Sequence, residues 1–218
     1  MSRFFSNSLI LAVFCACFYL LTSCINWLAS GSQNEIVREH SFDRRKADQF
    51  WHQRRWPDAA LYYKNLTELD PYNGNAWFYL AECYRNQRSE FVRNVFQAER
   101  RSRERGERGE SFDEDRIDEN MEKARGLGSE AIENYKIAVG FPRFANRSRY
   151  SIARILAFQG DKEQAIEYLR EAVENSYSCA VRGGLKNVYE LQNLRGVDGF
   201  AEVCIAEREN YERKLRGR

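Results

Sequence analysis

Residues 146–177 read NRSRYSIARILAFQGDKEQAIEYLREAVENSY and contain two helical patterns separated by a turn. Before the turn, Ile152 and Leu156 are spaced four residues apart, which places both on one face of a helix. Gly160 then supplies a residue that readily adopts a positive φ at a helix end. Apolar residues resume at helical spacing after the turn, so this stretch predicts two short helices packed against each other.

A small-large-small triplet of residues occurs twice in the chain, 34 residues apart. The two copies are Ala131, Tyr135 and Ala138, and Ala165, Leu169 and Ala172. Spacings of four and then three residues put each triplet on one helical face. Small residues on such a face allow a neighbouring helix to approach closely, and the large one fills the remaining space. The triplets therefore predict a repeated helix-turn-helix unit.

This pattern resembles the tetratricopeptide repeat (TPR), a unit of helix A, turn and helix B with this period. Residues 146–177 are the clearest copy, residues 40–71 form an earlier one, and residues 77–84 match helix A of the copy between them. The resemblance implies an all-α, right-handed helical solenoid of about three repeats over residues 40–177. Capping helices at residues 178–218 would close its end, as solenoids require.

The middle repeat is interrupted by a charged stretch from about residue 88 to residue 125. Arginines dominate residues 93–108, and acidic residues dominate residues 110–122. Helical spacing of the apolar residues in both blocks predicts that the two helices of this repeat are lengthened into a projecting hairpin with its tip near Gly109. Such an insertion would be dispensable for the fold. A disordered charged loop is the alternative.

The amino terminus has the pattern of an export signal. Residues 9–21 are uncharged and mostly apolar, which fits the central region of a signal peptide better than a transmembrane helix of about 20 residues. The sequence LTSC at residues 21–24 resembles the lipobox of bacterial lipoproteins. That resemblance implies a signal peptide of residues 1–23 and a lipid anchor, with palmitate among its acyl chains, on Cys24.

The lipobox implies a chain that is lipid-anchored to a membrane of a bacterial cell envelope and faces the periplasm or the exterior. Residues 24–39 would be the lipidated cysteine and a tether. The alternative is an uncleaved anchor from Leu9 to about Ala29, because Trp27 and Leu28 prolong the apolar stretch beyond the cysteine. The pattern does not distinguish an inner from an outer membrane.

Composition excludes several functional classes. Hydrophobic residues make up 43% of the chain, enough for a core, and 34 basic against 32 acidic residues leave a net charge of +2. Nucleic-acid binding depends on a strongly basic surface, so no such partner is predicted. Two histidines predict no metal site, and neither do Cys83, Cys179 and Cys204, which remain outside the signal and the lipobox without CxxC spacing. No cofactor motif is present. No catalytic motif occurs, so the chain is predicted not to be an enzyme.

The TPR resemblance also implies a binding groove lined by helix A side chains. The helix A groove positions of the family correspond to four residues in each copy of this sequence. They are Arg44, Asp48, Trp51 and His52 in the first copy, Phe78, Glu82, Arg85 and Asn86 in the second, and Arg147, Tyr150, Arg154 and Phe158 in the third. Eight of them form the predicted partner-binding groove: Trp51, Phe78, Arg85, Asn86, Arg147, Tyr150, Arg154 and Phe158. Arginines beside aromatic rings suit an acidic or carboxylate-bearing segment of a protein or peptide partner.

Two functional hypotheses follow. The first is a membrane-tethered TPR adaptor or scaffold that mediates protein–protein interaction in a bacterial cell envelope. The alternative is a small-ligand-binding periplasmic helical protein that works with a transporter. A closed pocket lined by Trp51, Phe78 and Tyr150 would favour the alternative, whereas an open groove with exposed arginines would favour the adaptor. The pattern identifies neither the partner nor the oligomeric state.

Overall fold

The computed structural model describes residues 43–106, 114–179 and 184–217, and the chain divides into two compact units, residues 1–45 and 46–218. Of the first unit, only residues 43–45 are described, and they are helical. The elements in chain order are α1 (described over 43–52), α2 (Trp56–Leu69), α3 (Gly74–Gly106), α4 (Glu114–Val139), α5 (Pro142–Gln159), α6 (Lys162–Glu174), two 3₁₀ helices (Leu185–Asn187 and Tyr189–Leu194) and α7 (Phe200–Arg216).

The helices of the second unit pack in chain order. Helix α2 contacts α3, α3 contacts α4, α4 contacts α5, α5 contacts α6, and α6 contacts α7. Dominance of contacts between sequence neighbours is characteristic of a repeat array. The predicted all-α helical solenoid is confirmed, with helices A at α1, α3 and α5 and helices B at α2, α4 and α6.

Positive φ angles close the turns within two of the repeats. Gly160 ends α5 with a φ of 97°, and its N–H group bonds back to the carbonyls of Ala157 and Leu156. Arg54 lies at the matching turn of the first repeat and has a φ of 57°. A side-chain-bearing residue in this region costs roughly 1–2 kcal/mol, so the first turn keeps the shape of a glycine turn at a cost in strain.

The two triplets lie where the helices cross. All six residues, Ala131, Tyr135, Ala138, Ala165, Leu169 and Ala172, have no exposed surface. The equivalent positions in α2, Ala59, Tyr63 and Leu66, are also buried. The predicted register of the repeats is therefore confirmed.

Replacing Ala165 with leucine should destabilise the fold by roughly 1–3 kcal/mol, because a closely packed helix crossing cannot admit three more carbon atoms without moving. The urea midpoint of unfolding measures the effect. Ala201→Leu on the exposed face of α7 is the matched control and should leave the midpoint nearly unchanged. Equal midpoints for both variants would contradict the register.

The lengthened helices of the middle repeat are present as α3 and α4, which pack against each other. The predicted tip near Gly109 lies outside the described residues. Burial argues against the expectation that the whole stretch from residue 88 is dispensable. Arg88, Val95 and Ala124 are 3%, 3% and 1% exposed, so the base of the hairpin is part of the core.

The carboxyl-terminal region differs from a simple pair of capping helices. Among residues 184–217, α7 is the single α-helix, and the stretch before it forms the two 3₁₀ helices. Val188 has an extended backbone between them, and Gly184 precedes the first with a φ of 73°. These two residues interrupt helical geometry, and the resulting segment, residues 184–194, contacts α5.

Across residues 43–106, 114–179 and 184–217, no helix combines the length and the apolar character needed to cross a bilayer. The predicted signal peptide and Cys24 lie outside these ranges.

Candidate partner-binding face

The face shared by α3, α5 and the second 3₁₀ helix carries an unusual concentration of charge. Helix α3 contributes Glu82, Arg85 and Arg88, each separated from the next by about one helical turn. Helix α5 contributes Arg154, and the 3₁₀ helix contributes Glu190. These five side chains are buried or half-buried, so each charge needs a partner.

Glu82 is the acceptor for two neighbours. Arg85 donates to both of its carboxylate oxygens, with its Nη2 atom 2.6 Å from Oε2, and the Tyr135 hydroxyl donates to Oε1. Burial, followed by the charge of Glu82, raises the pKa of Tyr135 well above its ordinary value, so the hydroxyl stays a donor. Burial opposes the charge of Arg85. The interactions with Tyr135 and Glu82 outweigh burial and raise the pKa of the Arg85 guanidinium. Glu82 and Arg85 therefore neutralise each other's charge.

Glu190 neutralises Arg154 in a second pair. The Nη2 atom of Arg154 donates to the Oε1 atom of Glu190, and both side chains are about one-fifth exposed. Burial opposes the charge of Glu190, but the attraction of Arg154 lowers the pKa of the carboxyl overall. The pair ties the carboxyl-terminal segment to the helix A face of α5.

Arg88 forms no hydrogen bond with a carboxylate within the described residues. It is 3% exposed, and its Nε and Nη2 atoms have no hydrogen-bond partner in the part of the chain that the structure describes. Its guanidinium lies 4.4 Å from the ring centroid of Phe158. Burial lowers the pKa of Arg88 to about 10; Glu190 opposes this shift, and Arg154 and Arg85 add to it. The buried Arg88 cation thus contacts an aromatic ring and is attracted by Glu190, but it has no hydrogen-bonded acid among the described residues.

The predicted groove residues of α5, Arg147, Tyr150 and Arg154, are largely covered by the chain itself. Tyr150 is 8% exposed, its ring is stacked on Tyr177 with the centroids 4.8 Å apart, and its hydroxyl is 3.4 Å from the sulfur of Cys179. Arg154 is paired with Glu190. Only Arg147 is exposed, and its guanidinium lies 4.8 Å from the ring centroid of Phe78.

The other predicted groove residues are distributed along the array. Phe78 is 1% exposed and is stacked on Phe144, so it is a core residue and not an exposed wall. Trp51 lies with Trp56 and Tyr79, at centroid distances of 5.0 and 5.1 Å, and Asn86 is half-buried. The structure brings Arg85, Arg154 and Phe158 together around Arg88. The role of the eight residues in binding stays a prediction.

A groove beside α3 was missed by sequence reasoning. We call it the α3 groove, and its lining includes Arg88, Val92, Arg93, Phe96, Arg100 and Tyr189. Its volume is about 500 Å³, and the Phe96 and Tyr189 rings meet edge to face with centroids 5.3 Å apart. The spacing of Arg88, Val92 and Phe96 by four residues could have indicated a common face. Assignment of these residues to the insertion concealed it.

Residues 43–106, 114–179 and 184–217 contain no group of three His, Cys, Asp or Glu side chains placed to hold a metal ion. Cys83 and Cys179 are buried, and Cys204 is half-buried. Burial raises the pKa of the Cys83 thiol, which keeps it protonated and unreactive.

Stacked helix pairs with small residues at their crossings define a helical-repeat protein. The sequence model of the tetratricopeptide repeat family matches residues 44–108 and 121–178, which is more than half of the chain. The chain therefore belongs to the tetratricopeptide repeat family. A comparison with curated proteins gives no match. The repeats indicate protein partners in general. Residues 109–120, which include the start of α4, lie between the two matched segments.

Proposed function

We propose that this chain is a membrane-tethered adaptor that binds a protein partner in a bacterial cell envelope and catalyses no reaction. The observation that carries the proposal is the pair of tetratricopeptide repeat segments, whose helix A face carries arginines and aromatic rings and continues into the α3 groove. Arginine beside aromatic rings is the side-chain mixture that is enriched where proteins bind each other.

The packing of three aromatic residues favours the adaptor over a carrier of small ligands. A carrier would have Trp51, Phe78 and Tyr150 around one pocket. Instead, Trp51 contacts Trp56, Phe78 contacts Phe144, and Tyr150 contacts Tyr177. Tyr79 contacts both Trp51 and Phe78, whereas Tyr150 packs elsewhere in the array. The three rings are therefore used in packing contacts and do not line one pocket.

The tether is supported by the sequence LTSC at residues 21–24, which resembles a lipobox, and by the apolar run before it. Lipid at Cys24 would hold the repeats near the membrane surface, with residues 24–39 as a spacer. Stable anchoring requires more than one acyl chain, and a diacylglycerol thioether with palmitate meets that requirement.

Replacing Cys24 with alanine should abolish incorporation of radiolabelled palmitate and should prevent the shift to the mature size. The reason is that the thiol is the atom that would carry the lipid. Cys83→Ala is the matched control, because its thiol is buried in the repeats and should leave labelling unchanged. Labelling that persists in Cys24→Ala, or a wild-type chain that retains residues 1–23, would contradict the tether.

The adaptor role is tested by crosslinking the full-length protein in intact cells and identifying the captured proteins. We expect a small set of proteins that is recovered from the membrane fraction and is lost when the chain is absent. Recovery of no protein, together with a thermal shift caused by a small metabolite, would favour the carrier instead.

A further inference from the structure

We propose that the α3 groove binds an acidic, partly apolar segment of a protein partner, and that Arg88 receives a carboxylate of that segment. This inference rests on the proposed adaptor function and specifies the chemistry of the partner and the place where it binds.

The charges on the helix A face do not balance. Three arginines, Arg85, Arg88 and Arg154, share this face with two carboxylates. Glu82 hydrogen-bonds Arg85, and Glu190 hydrogen-bonds Arg154. One buried positive charge is left without a hydrogen-bonded acid among the described residues, and such a charge is costly unless a partner supplies the missing anion.

The Arg88 side chain has one edge without hydrogen-bond acceptors among the described residues. The Nε and Nη2 atoms are the two donors of one edge of the guanidinium, and both are buried without an acceptor in the described structure. A carboxylate accepts two parallel hydrogen bonds from such an edge. Because Arg88 is 3% exposed, side chains of the groove must move aside to admit the acid. The guanidinium lies 4.4 Å from the Phe158 ring centroid, and this contact restricts the side chain before the acid binds.

The walls of the α3 groove combine apolar and basic side chains. Val92 and Phe96 continue the Arg88 face along α3, and Tyr189 stands opposite Phe96. Exposed Arg93 and Arg100 lie at the edge of the groove and add positive charge. The combination suits a segment in which acidic residues neighbour apolar ones, because the rings offer apolar contact and the arginines offer charge.

The size of the groove fits a short segment. A volume of about 500 Å³ is within the range of sites that enclose a small ligand or a few side chains. A second copy of the chain could supply acids from the exposed face of α4, where Asp118 and Glu119 lie. The experiment below separates these two occupants.

The test uses the full-length protein in a mild detergent, a library of random peptides displayed on phage, and fluorescence polarisation with the enriched peptides. We expect enrichment of peptides that combine Asp or Glu with apolar residues. Arg88→Met should weaken their binding by about tenfold or more, because a charge-assisted bidentate contact is lost. Arg208→Met, an exposed arginine of α7, is the matched control and should bind as the wild type does.

A measurement of stability distinguishes recognition from structure. Methionine has a similar length and retains contact with Phe158, so Arg88→Met should melt at the wild-type temperature or above it, since an unneutralised buried charge is removed. Arg93→Glu is a second variant at the exposed edge and should weaken peptide binding without affecting folding. A clear fall in the melting temperature of Arg88→Met would make this arginine structural and would overturn the proposal.

The remaining outcomes separate this inference from the proposed function. If the wild type enriches no peptide, the adaptor function and the groove proposal both fail. If peptides are enriched but bind Arg88→Met and Arg93→Glu equally well, the adaptor function stands and the groove proposal is overturned. If the wild type forms a dimer that Arg88→Met dissociates, the occupant is a second copy, and the proposed partner segment is wrong.

Discussion

Glu82→Gln is expected to lower the free energy of unfolding by about 3 kcal/mol, because removing one member of a buried ion pair leaves the other charge uncompensated. Glu82 is 9% exposed, and it accepts hydrogen bonds from Arg85 and Tyr135. The amide cannot neutralise Arg85, and Arg88, one turn away, already lacks a hydrogen-bonded acid in the described structure. Urea denaturation followed by circular dichroism measures the change.

Two control variants isolate the role of charge. Tyr135→Phe removes one hydrogen bond and no charge, so a loss of about 1 kcal/mol is expected. Glu133→Gln removes an acid whose side chain is 69% exposed and which is paired with Lys136, so the change should be about 0–1 kcal/mol. If Glu82→Gln were no more destabilising than Glu133→Gln, the buried network would not stabilise the α3–α4 pair.

The second large effect concerns the depth at which the α3–α4 hairpin is cut. Splicing out residues 88–125 should abolish cooperative unfolding, because the cut removes Arg88, Val95 and Ala124 from the core. Loss of several buried side chains costs about 5 kcal/mol or more, which is comparable to the stability of a whole domain. Differential scanning calorimetry should show no sharp transition for this variant.

A shallower cut supplies the control. Replacing residues 99–120 with a short glycine-serine linker keeps all three buried residues and the contact between Phe96 and Tyr189. This variant should remain helical and melt cooperatively near the wild-type temperature. Cooperative melting after the deep cut would restore the prediction that the whole stretch is dispensable. Loss of cooperativity after the shallow cut would place distal residues in the core.

Local periodicity predicted the fold well. The spacing of Ala131, Tyr135 and Ala138 reflects helix geometry and a tight helix crossing, and both can be read from neighbouring residues. The glycine turn at Gly160 was predictable for the same reason, since its φ of 97° is a local property. The repeat units of the array were therefore accessible from sequence.

The candidate site was less predictable because its contacts join residues that are distant in the chain. The pairing of Arg154 with Glu190 and the contact of Tyr150 with Cys179 depend on a segment without a helical repeat pattern. The charges near Arg88 indicated a solvated insertion, whereas packing against α5 buries that arginine. Long-range packing of this kind has no signature in residue spacing.

The central claim is that this repeat array works by binding a protein at the α3 groove. The most direct measurement places a photo-crosslinking amino acid at Gln97, an exposed residue lining that groove, in intact cells. The same amino acid at exposed Glu167 on α6 is the control. We predict that light produces a discrete adduct with one partner from position 97 that is absent from position 167 and is weakened by Arg88→Met. Identical adducts from both positions, or no adduct from position 97, would contradict the claim.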